Sequence, residues 1–163
     1  MAEKQLIDHD TFQTIVDKTP LISIDLIVRD DSGRILLGQR LNRPAQNYWF
    51  VPGGRILKDE SLACAFKRLT QNELGQTFNI DDGELLGPYD HFYDDYVFGT
   101  DVSTHYVAIA YVLKVSNALD ALPVGEQHGG YRWFDIESIK NEEKVHLHSK
   151  WYFESEKLIN ARK

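Results

Sequence analysis

The segment Pro52–Gly75 constrains the fold more than any other part of the sequence. It begins with the breaker Pro52-Gly53-Gly54, and from Ser61 to Leu74 apolar residues recur three and four positions apart. This spacing predicts a helix, which Gly75 ends as its C-cap. Glycines in the preceding loop allow close backbone approach, and carboxylates on the helix can bind a divalent cation. The segment therefore predicts a loop–helix–loop that builds a site.

The rest of the chain predicts an α/β (α+β) fold, a mixed β-sheet sandwiched between helices, as a single domain over 1–163. Asp30–Gly33 is a turn that predicts a hairpin between the first two strands, and Asp10 is the expected N-cap of the first helix. Long loops are expected over Asp94–Ser103 and Leu119–Gly130. The predicted strands are Leu21–Arg29, Arg34–Gln39, Trp49–Val51, Glu84–Tyr93, His105–Val115 and Tyr131–Phe134, and the other helices are Asp10–Lys18, Ile136–Asn141 and Leu147–Ile159.

Composition excludes several classes of function. The 163 residues carry 18 Lys and Arg against 25 Asp and Glu, a net charge of −7. That balance argues against nucleic acid and anionic membranes as partners, and an anionic substrate would need a few placed arginines or a metal. The longest apolar stretch, Leu21–Val28, is too short to span a bilayer. Cys64, the only cysteine, cannot form an intramolecular disulfide and is expected to be a small buried residue in a cytoplasmic protein.

The site-building segment resembles the Nudix box. Gly54 is followed after five residues by Glu60, after seven more by Arg68, and then by Glu73-Leu74-Gly75. The copy is depleted, because Leu69, Asn72 and Gln76 replace two glutamates and an apolar residue of the family pattern. Positions 69, 72 and 73 are expected to share one helix face, so a full box would place three carboxylates there. Only Glu73 remains, which favours a single divalent ion held with help from elsewhere.

Longer stretches resemble a Nudix branch with a depleted box, the GDP-mannose mannosyl hydrolases. The resemblance runs from about Thr19 to Trp133. It implies Mg²⁺-dependent hydrolysis of GDP-mannose, and of GDP-glucose, to GDP and free sugar, with inverting attack of water at the anomeric carbon. It also implies a homodimer. The matching stretches are Asn42–Arg55, His91–Asp95, Gly99–Asp101, Thr104–Tyr106, Glu126–His128 and Tyr131–Trp133.

The resemblance also implies roles for individual residues. His128 matches the family's general base, which an imidazole suits near neutral pH. The implied ligands of one Mg²⁺ per subunit, with Mn²⁺ as a substitute, are the Gly53 carbonyl, Glu73 and Gln127. All three offer oxygen, as Mg²⁺ requires.

Further matches concern the substrate. Arg40 matches an arginine that contacts the diphosphate, Tyr106 a hydroxyl that helps the leaving group, and Asp25 an aspartate near the sugar. His91 matches a sugar contact, with a structural role at a strand end as an equal alternative. Arg55 and Arg68 match arginines of the box, where surface ion pairs or, above all for Arg68, bracing of the loop are the alternatives.

Two other functions are consistent with the same residues. An ordinary Nudix pyrophosphohydrolase would cleave at phosphorus to give GMP and a sugar 1-phosphate. A protein that has lost catalysis would bind nucleotide sugars without turnover.

Overall fold

The computed structural model describes residues 7–116, 119, 122 and 128–154, with only the backbone described for His128. Its helices are α1 (His9–Lys18), α2 (Leu62–Leu74), α3 (Ile136–Asn141) and α4 (Leu147–Tyr152), and Ile80–Asp82 form a 3₁₀ turn. Its strands are β1 (Leu21–Arg29), β2 (Ile35–Arg40), β3 (Trp49–Phe50), β4 (Gly53–Arg55), β5 (Gly83–Tyr93), β6 (Thr104–Lys114) and β7 (His128–Phe134).

The described strands form one mixed sheet that splits at its centre. The order is β3-β2-β1-β6-β5, with β4 beside β1 and β7 beside β2. β1 runs parallel to β6, and β5 runs antiparallel to β6. The predicted hairpin is confirmed, but β1 and β2 pair only at Arg29 and Ile35. Beyond that point β1 pairs with β4, while β2 pairs with β7 and β3. The two arms therefore diverge, and the diverging end is where the candidate site lies.

Helices cover both faces of the sheet, which confirms the predicted sandwich. Alternation along β1 sends Ile24 and Leu26 into a core with α2, and Ile27 into a second core that contains Ile139 of α3 and Tyr152 of α4. All five side chains are fully buried. Because α2 and α4 lie in opposite layers, residues from both can approach the end of the sheet where its arms separate.

Helix ends follow local chemistry. α2 begins after Ser61, whose Oγ accepts from the Cys64 amide at 3.1 Å, and ends at Gly75, where φ is 71°. This confirms the prediction for α2. For α1 the predicted cap was wrong by two residues, since Asp8, not Asp10, accepts from the Thr11 amide at 2.9 Å. Asp10 lies instead in the first turn, where its charge favours the helix dipole.

Glycines account for two further differences from the predictions. The breaker before α2 is part of strand β4, because Gly53 and Gly54 let the backbone pair tightly with β1. A Cβ on Gly53 would lie 2.7 Å from Asp25 Oδ1 and would collide with the Ile24 carbonyl oxygen. Gly129 and Gly130 belong to β7 rather than to a loop, beside a register shift opposite Gly38–Arg40.

Other predictions have mixed outcomes. Cys64 is exposed, not buried, because it lies on the solvent side of α2. Of the predicted helix Leu147–Ile159 the structure has Leu147–Tyr152, and residues beyond 154 lie outside the described part. Most of the predicted loop Leu119–Gly130 lies outside it as well. No helix among the described residues combines the length and the hydropathy required to cross a membrane.

Candidate active site

Asp25 lies at the centre of the site. It is on β1 opposite Gly53, between buried Ile24 and Leu26. Burial raises the pKa of its carboxyl to about 6. The Tyr152 hydroxyl, which donates to Asp25 Oδ2 at 2.5 Å, and the charge of Arg40 oppose that rise. A carboxylate in this setting can accept hydrogen bonds from a substrate at neutral pH.

Two arginines supply positive charge beside Asp25. The guanidinium of Arg40, at the end of β2, lies 5.4 Å from the centre of the Phe50 ring. The guanidinium of Arg55, at the end of β4, lies 5.4 Å from the Phe12 ring. Among the described residues, neither forms an ion pair with a carboxylate within 4.0 Å. Their charges are therefore available to an anionic ligand.

Two tyrosines complete this group. Burial raises the pKa of Tyr106, while the charges of Arg40 and Arg55 lower it. Burial likewise raises the pKa of Tyr93, against the charge of Arg40. Both phenols therefore keep their protons at neutral pH and can donate hydrogen bonds. Tyr106 lies within electrostatic reach of both arginines and of Asp25, and its contact with the leaving group stays a prediction.

Helix α2 brings one carboxylate to the site. Glu73 is only 4% exposed, and its charge raises the pKa of Asp25, so the two groups lie near each other. Leu69 lies on the same buried face and packs against Gly54. Asn72 is exposed, so of the three positions expected to share one face only 69 and 73 are buried. The helix rotates by about 100° per residue, which carries position 72 away from 73.

The predicted metal ligands fit Mg²⁺ as far as the structure describes them. Glu73 offers a buried carboxylate, and Gly53 faces Asp25 as a non-hydrogen-bonded pair between the bonds Leu26 N–H to Pro52 O and Ile56 N–H to Ile22 O. The Gly53 carbonyl therefore points away from β1, where it can accept a bond, and the hydrogen bonds of the described residues include none to it. Gln127 lies outside the described residues. No group of three or more His, Cys, Asp or Glu side chains in the described ranges lies close enough together to hold a metal ion.

Arg68 braces the loop before α2. Its Nε donates to Glu60 Oε2 at 2.7 Å and its Nη2 to Glu60 Oε1 at 2.9 Å and to the Arg55 carbonyl at 2.9 Å. Glu60 also accepts from the Leu57 amide at 3.1 Å. These contacts match the bracing alternative. A direct contact of Arg68 with substrate stays a prediction.

The two predicted histidines differ in what the structure describes. His91 is 5% exposed and stacks on His148 at 4.4 Å between ring centres, with 11° between the planes. These contacts match its structural alternative. The backbone of His128 begins β7 and pairs in register with Arg40, which brings this residue to the site, but its side chain lies outside the description.

Three side chains near the site were missed by sequence reasoning. Tyr152, His146 and His148 lie on or beside α4, and they contact Asp25, Phe50 and His91 respectively. The sequence shows only an aromatic helix more than 100 residues from Asp25 in the chain. No local pattern joins them, because these contacts form only when the layers of the fold pack together.

Comparison with known proteins agrees with the fold. Residues 19–154 match the sequence family described as the NUDIX domain. The chain is 40% identical over 130 residues to the low-salt glycan biosynthesis protein Agl8 of Haloferax volcanii, which covers 79% of this chain and 80% of that protein. Two solved structures share the fold. The MutT protein of Methanosarcina mazei has a TM-score of 0.70 at 23% identity, over 90% of this chain and 98% of that one. The NUDIX domain of Shewanella oneidensis NrtR, complexed with ADP ribose, has a TM-score of 0.66 at 19% identity, over 96% and 99%.

Proposed function

Since this chain belongs to the Nudix family, we propose that it is a Mg²⁺-dependent hydrolase that cleaves GDP-mannose, and GDP-glucose, to GDP and the free sugar. One observation carries the proposal. Arg40, Arg55 and Tyr106 gather beside Asp25 and near Glu73, the only carboxylate of α2. Two cations without carboxylate partners in the described residues suit a diphosphate, and Asp25 suits sugar hydroxyls. These placed arginines would let a chain of net charge −7 bind an anionic substrate.

The depleted box supports attack at carbon. Attack at phosphorus profits from metal-activated water and several carboxylates. Inverting attack at the anomeric carbon needs a base on one side of the sugar and a stabilised leaving group on the other. Leu69 is packed into the core and Asn72 is exposed, so α2 does not offer the several carboxylates that attack at phosphorus uses. Its one carboxylate, Glu73, is enough to help stabilise the leaving group in attack at carbon. The glycan-biosynthesis name of the 40% identical relative supports a nucleotide sugar as substrate.

Each residue has a definite task in this reaction. Arg40 and Arg55 bind the diphosphate, Tyr106 donates to the oxygen that departs, and Asp25 orients the sugar. His128 takes a proton from water as the water oxygen bonds to the anomeric carbon. The bond from that carbon to the β-phosphate oxygen breaks, and its electron pair leaves with GDP. Bound Mg²⁺, held by Gly53, Glu73 and Gln127, would neutralise charge on the diphosphate.

Hydrolysis in ¹⁸O-water tests the proposal directly. The purified chain is incubated with Mg²⁺ and a panel of nucleotide sugars, and the products are identified by mass spectrometry. We expect GDP and ¹⁸O-labelled mannose. Label in phosphate, with GMP and mannose 1-phosphate as products, would show a pyrophosphohydrolase instead. Binding of GDP-mannose without any product would show a non-catalytic module.

The role of His128 has its own test. His128→Gln removes the base while keeping a polar side chain, so we expect turnover of GDP-mannose to fall at least about 100-fold. Mg²⁺ affinity, measured by Mn²⁺ competition, should stay nearly unchanged. His9→Gln, at the first residue of α1 where the side chain is 53% exposed, is the matched control and should keep full activity. Near-wild-type turnover in His128→Gln would remove this residue from the base role.

A further inference from the structure

Tyr152 joins the last described helix to the centre of the candidate site. It is fully buried, and its ring packs edge-on against Tyr89 with 4.7 Å between the ring centres. A buried tyrosine hydroxyl needs a partner, and this one donates to Asp25 Oδ2 at 2.5 Å, across 127 residues of chain. The pair is a short bond between a hydroxyl and a carboxylate, the strong class of protein hydrogen bond.

The same hydroxyl also faces His91. Its oxygen lies 3.3 Å from His91 Nε2. A hydroxyl has one proton, and an ionised carboxylate cannot donate, so the Tyr152 proton is committed to Asp25. His91 must then carry its proton on Nε2 and donate to the Tyr152 oxygen. The contact therefore fixes His91 as the neutral Nε2–H tautomer.

Helix α4 also sets the orientation of His91. His148, one turn before Tyr152, is 5% exposed and stacks on the His91 ring. Burial and the neighbouring histidines lower the pKa of His91 to about 3, which keeps it neutral. A series of contacts therefore runs from helix α4 to strand β1, through His148, His91, Tyr152 and Asp25.

The two oxygens of Asp25 have different surroundings. Oδ2 is held by Tyr152, whereas Oδ1 lies on the side of Gly53, where a Cβ would come within 2.7 Å of it. The described residues give Oδ1 no hydrogen bond. Holding one oxygen fixes the plane of the carboxylate and leaves the other free for a ligand.

We propose that Tyr152 is a positioning residue, which holds Asp25 so that Oδ1 faces the substrate, and that His91 supports Tyr152 instead of touching the sugar. The proposal rests on the proposed function, because Asp25 meets the substrate only there. In this proposal Tyr152 and His91 affect turnover through Asp25, without touching the substrate themselves.

Tyr152→Phe tests this role, with Tyr89→Phe as the matched control. Each variant removes one hydroxyl from the same pair of packed rings, but only Tyr152 bonds Asp25. We expect Tyr152→Phe to lower kcat for GDP-mannose about 10- to 100-fold, as misplacement of a binding group does. Loss of this buried bond to a carboxylate should lower the melting temperature by several degrees, while the Mg²⁺ concentration at half-maximal rate should stay near that of the wild type. Tyr89→Phe should keep the wild-type kcat.

Imidazole ¹⁵N NMR gives a second readout that needs no turnover. We expect His91 Nε2 to carry the proton in the wild type and in Tyr89→Phe, and its signal to shift in Tyr152→Phe. A wild-type His91 protonated on Nδ1, or a kcat for Tyr152→Phe equal to that of Tyr89→Phe, would overturn the proposal. A wild type that turns over no nucleotide sugar overturns the proposed function and this role with it. Turnover by the wild type and both variants alike overturns this role alone.

Discussion

The loop before α2 and the side of the sheet covered by α4 both hold residues of the candidate site, but by different chemistry. The loop before α2 is held by charged groups. Arg68 donates two hydrogen bonds to Glu60 and one to the Arg55 carbonyl. The side covered by α4 is held by neutral groups, since Tyr152 binds Asp25 and His91 stacks on His148. This contrast indicates that the positive charges of the pocket stay available to an anion, because the groups that hold Asp25 are neutral and do not compete with the substrate.

The largest expected effect separates the two sides by activity. Glu73→Gln removes the only carboxylate that α2 offers, so we expect turnover of GDP-mannose to fall at least about 100-fold, more than a residue behind the ligands would give. The measurement is the rate as a function of Mg²⁺ concentration. Asn72→Ala, one residue earlier on the exposed side, is the control and should keep the wild-type rate. Equal losses in both variants would restore position 72 to the site.

The next effect concerns stability on the α2 side. Glu60→Gln breaks the charged pair with Arg68, whose side chain is 23% exposed while that of Glu60 is 9% exposed. We expect a loss of about 2 kcal/mol in the free energy of unfolding, the range for hydrogen bonds to charged groups. Chemical denaturation measures it. Asp59→Asn is the control, because its ion pair with Lys58 lies in solvent and such pairs contribute little. Asn also suits the positive φ of 63° at this position. A small change in Glu60→Gln, like that of the control, would show that the brace adds nothing to stability.

The same contrast explains what the sequence could and could not predict. The α2 side is local: Ser61, the apolar spacing and Gly75 lie within 15 residues, so the helix and its ends were predicted correctly. The spacing predicts that Leu69 and Glu73 share a helix face, but it does not predict that Glu73 is buried or that Asn72 is exposed, because both depend on what packs against the helix. Arg40 and Tyr106 could be named only through a family resemblance. Their neighbourhood requires the split of the sheet, which no local pattern encodes.

The α4 side lies beyond local prediction for another reason. Tyr152 and Asp25 are 127 residues apart, and an aromatic residue in a helix is ordinarily core. The Tyr152 hydroxyl can hold Asp25 only because the fold brings the carboxylate within hydrogen-bond distance of it. The histidines at 146 and 148 likewise show no motif, and their neutral state follows from burial, with the charges of His148 and Arg40 adding to it for His146.

The smallest expected effect separates the two sides by pH. Burial lowers the pKa of His91 to about 3 and of His146 and His148 to about 4, from an ordinary value of 6.5. As pH falls below 6.5 the unfolded chain takes up protons that the folded chain excludes, so the free energy of unfolding falls between about 6.5 and 4. Burial raises the pKa of Asp25 to about 6, so its protonation in the folded chain raises the free energy of unfolding as the pH falls. This gain comes from one group, whereas three histidines contribute to the loss. The Arg68 guanidinium lowers the pKa of Glu60 below 4.5, so that pair weakens only when the pH falls below 4.5.

The free energy of unfolding, measured by denaturation at a series of pH values, should therefore fall in different pH ranges for the two sides. We expect a loss of at least about 1 kcal/mol between pH 7 and pH 5, which belongs to the α4 side. His148→Phe keeps an aromatic ring against His91 but cannot be protonated, so the loss should be smaller in this variant. His9→Gln, on half-exposed α1, should leave the loss unchanged. A free energy that stays level from pH 7 to pH 5 would mean that the histidines beside α4 take up protons in the folded chain over the same pH range as in the unfolded chain. In that case burial would not keep these histidines neutral, and the contrast between a charged α2 side and a neutral α4 side would fail.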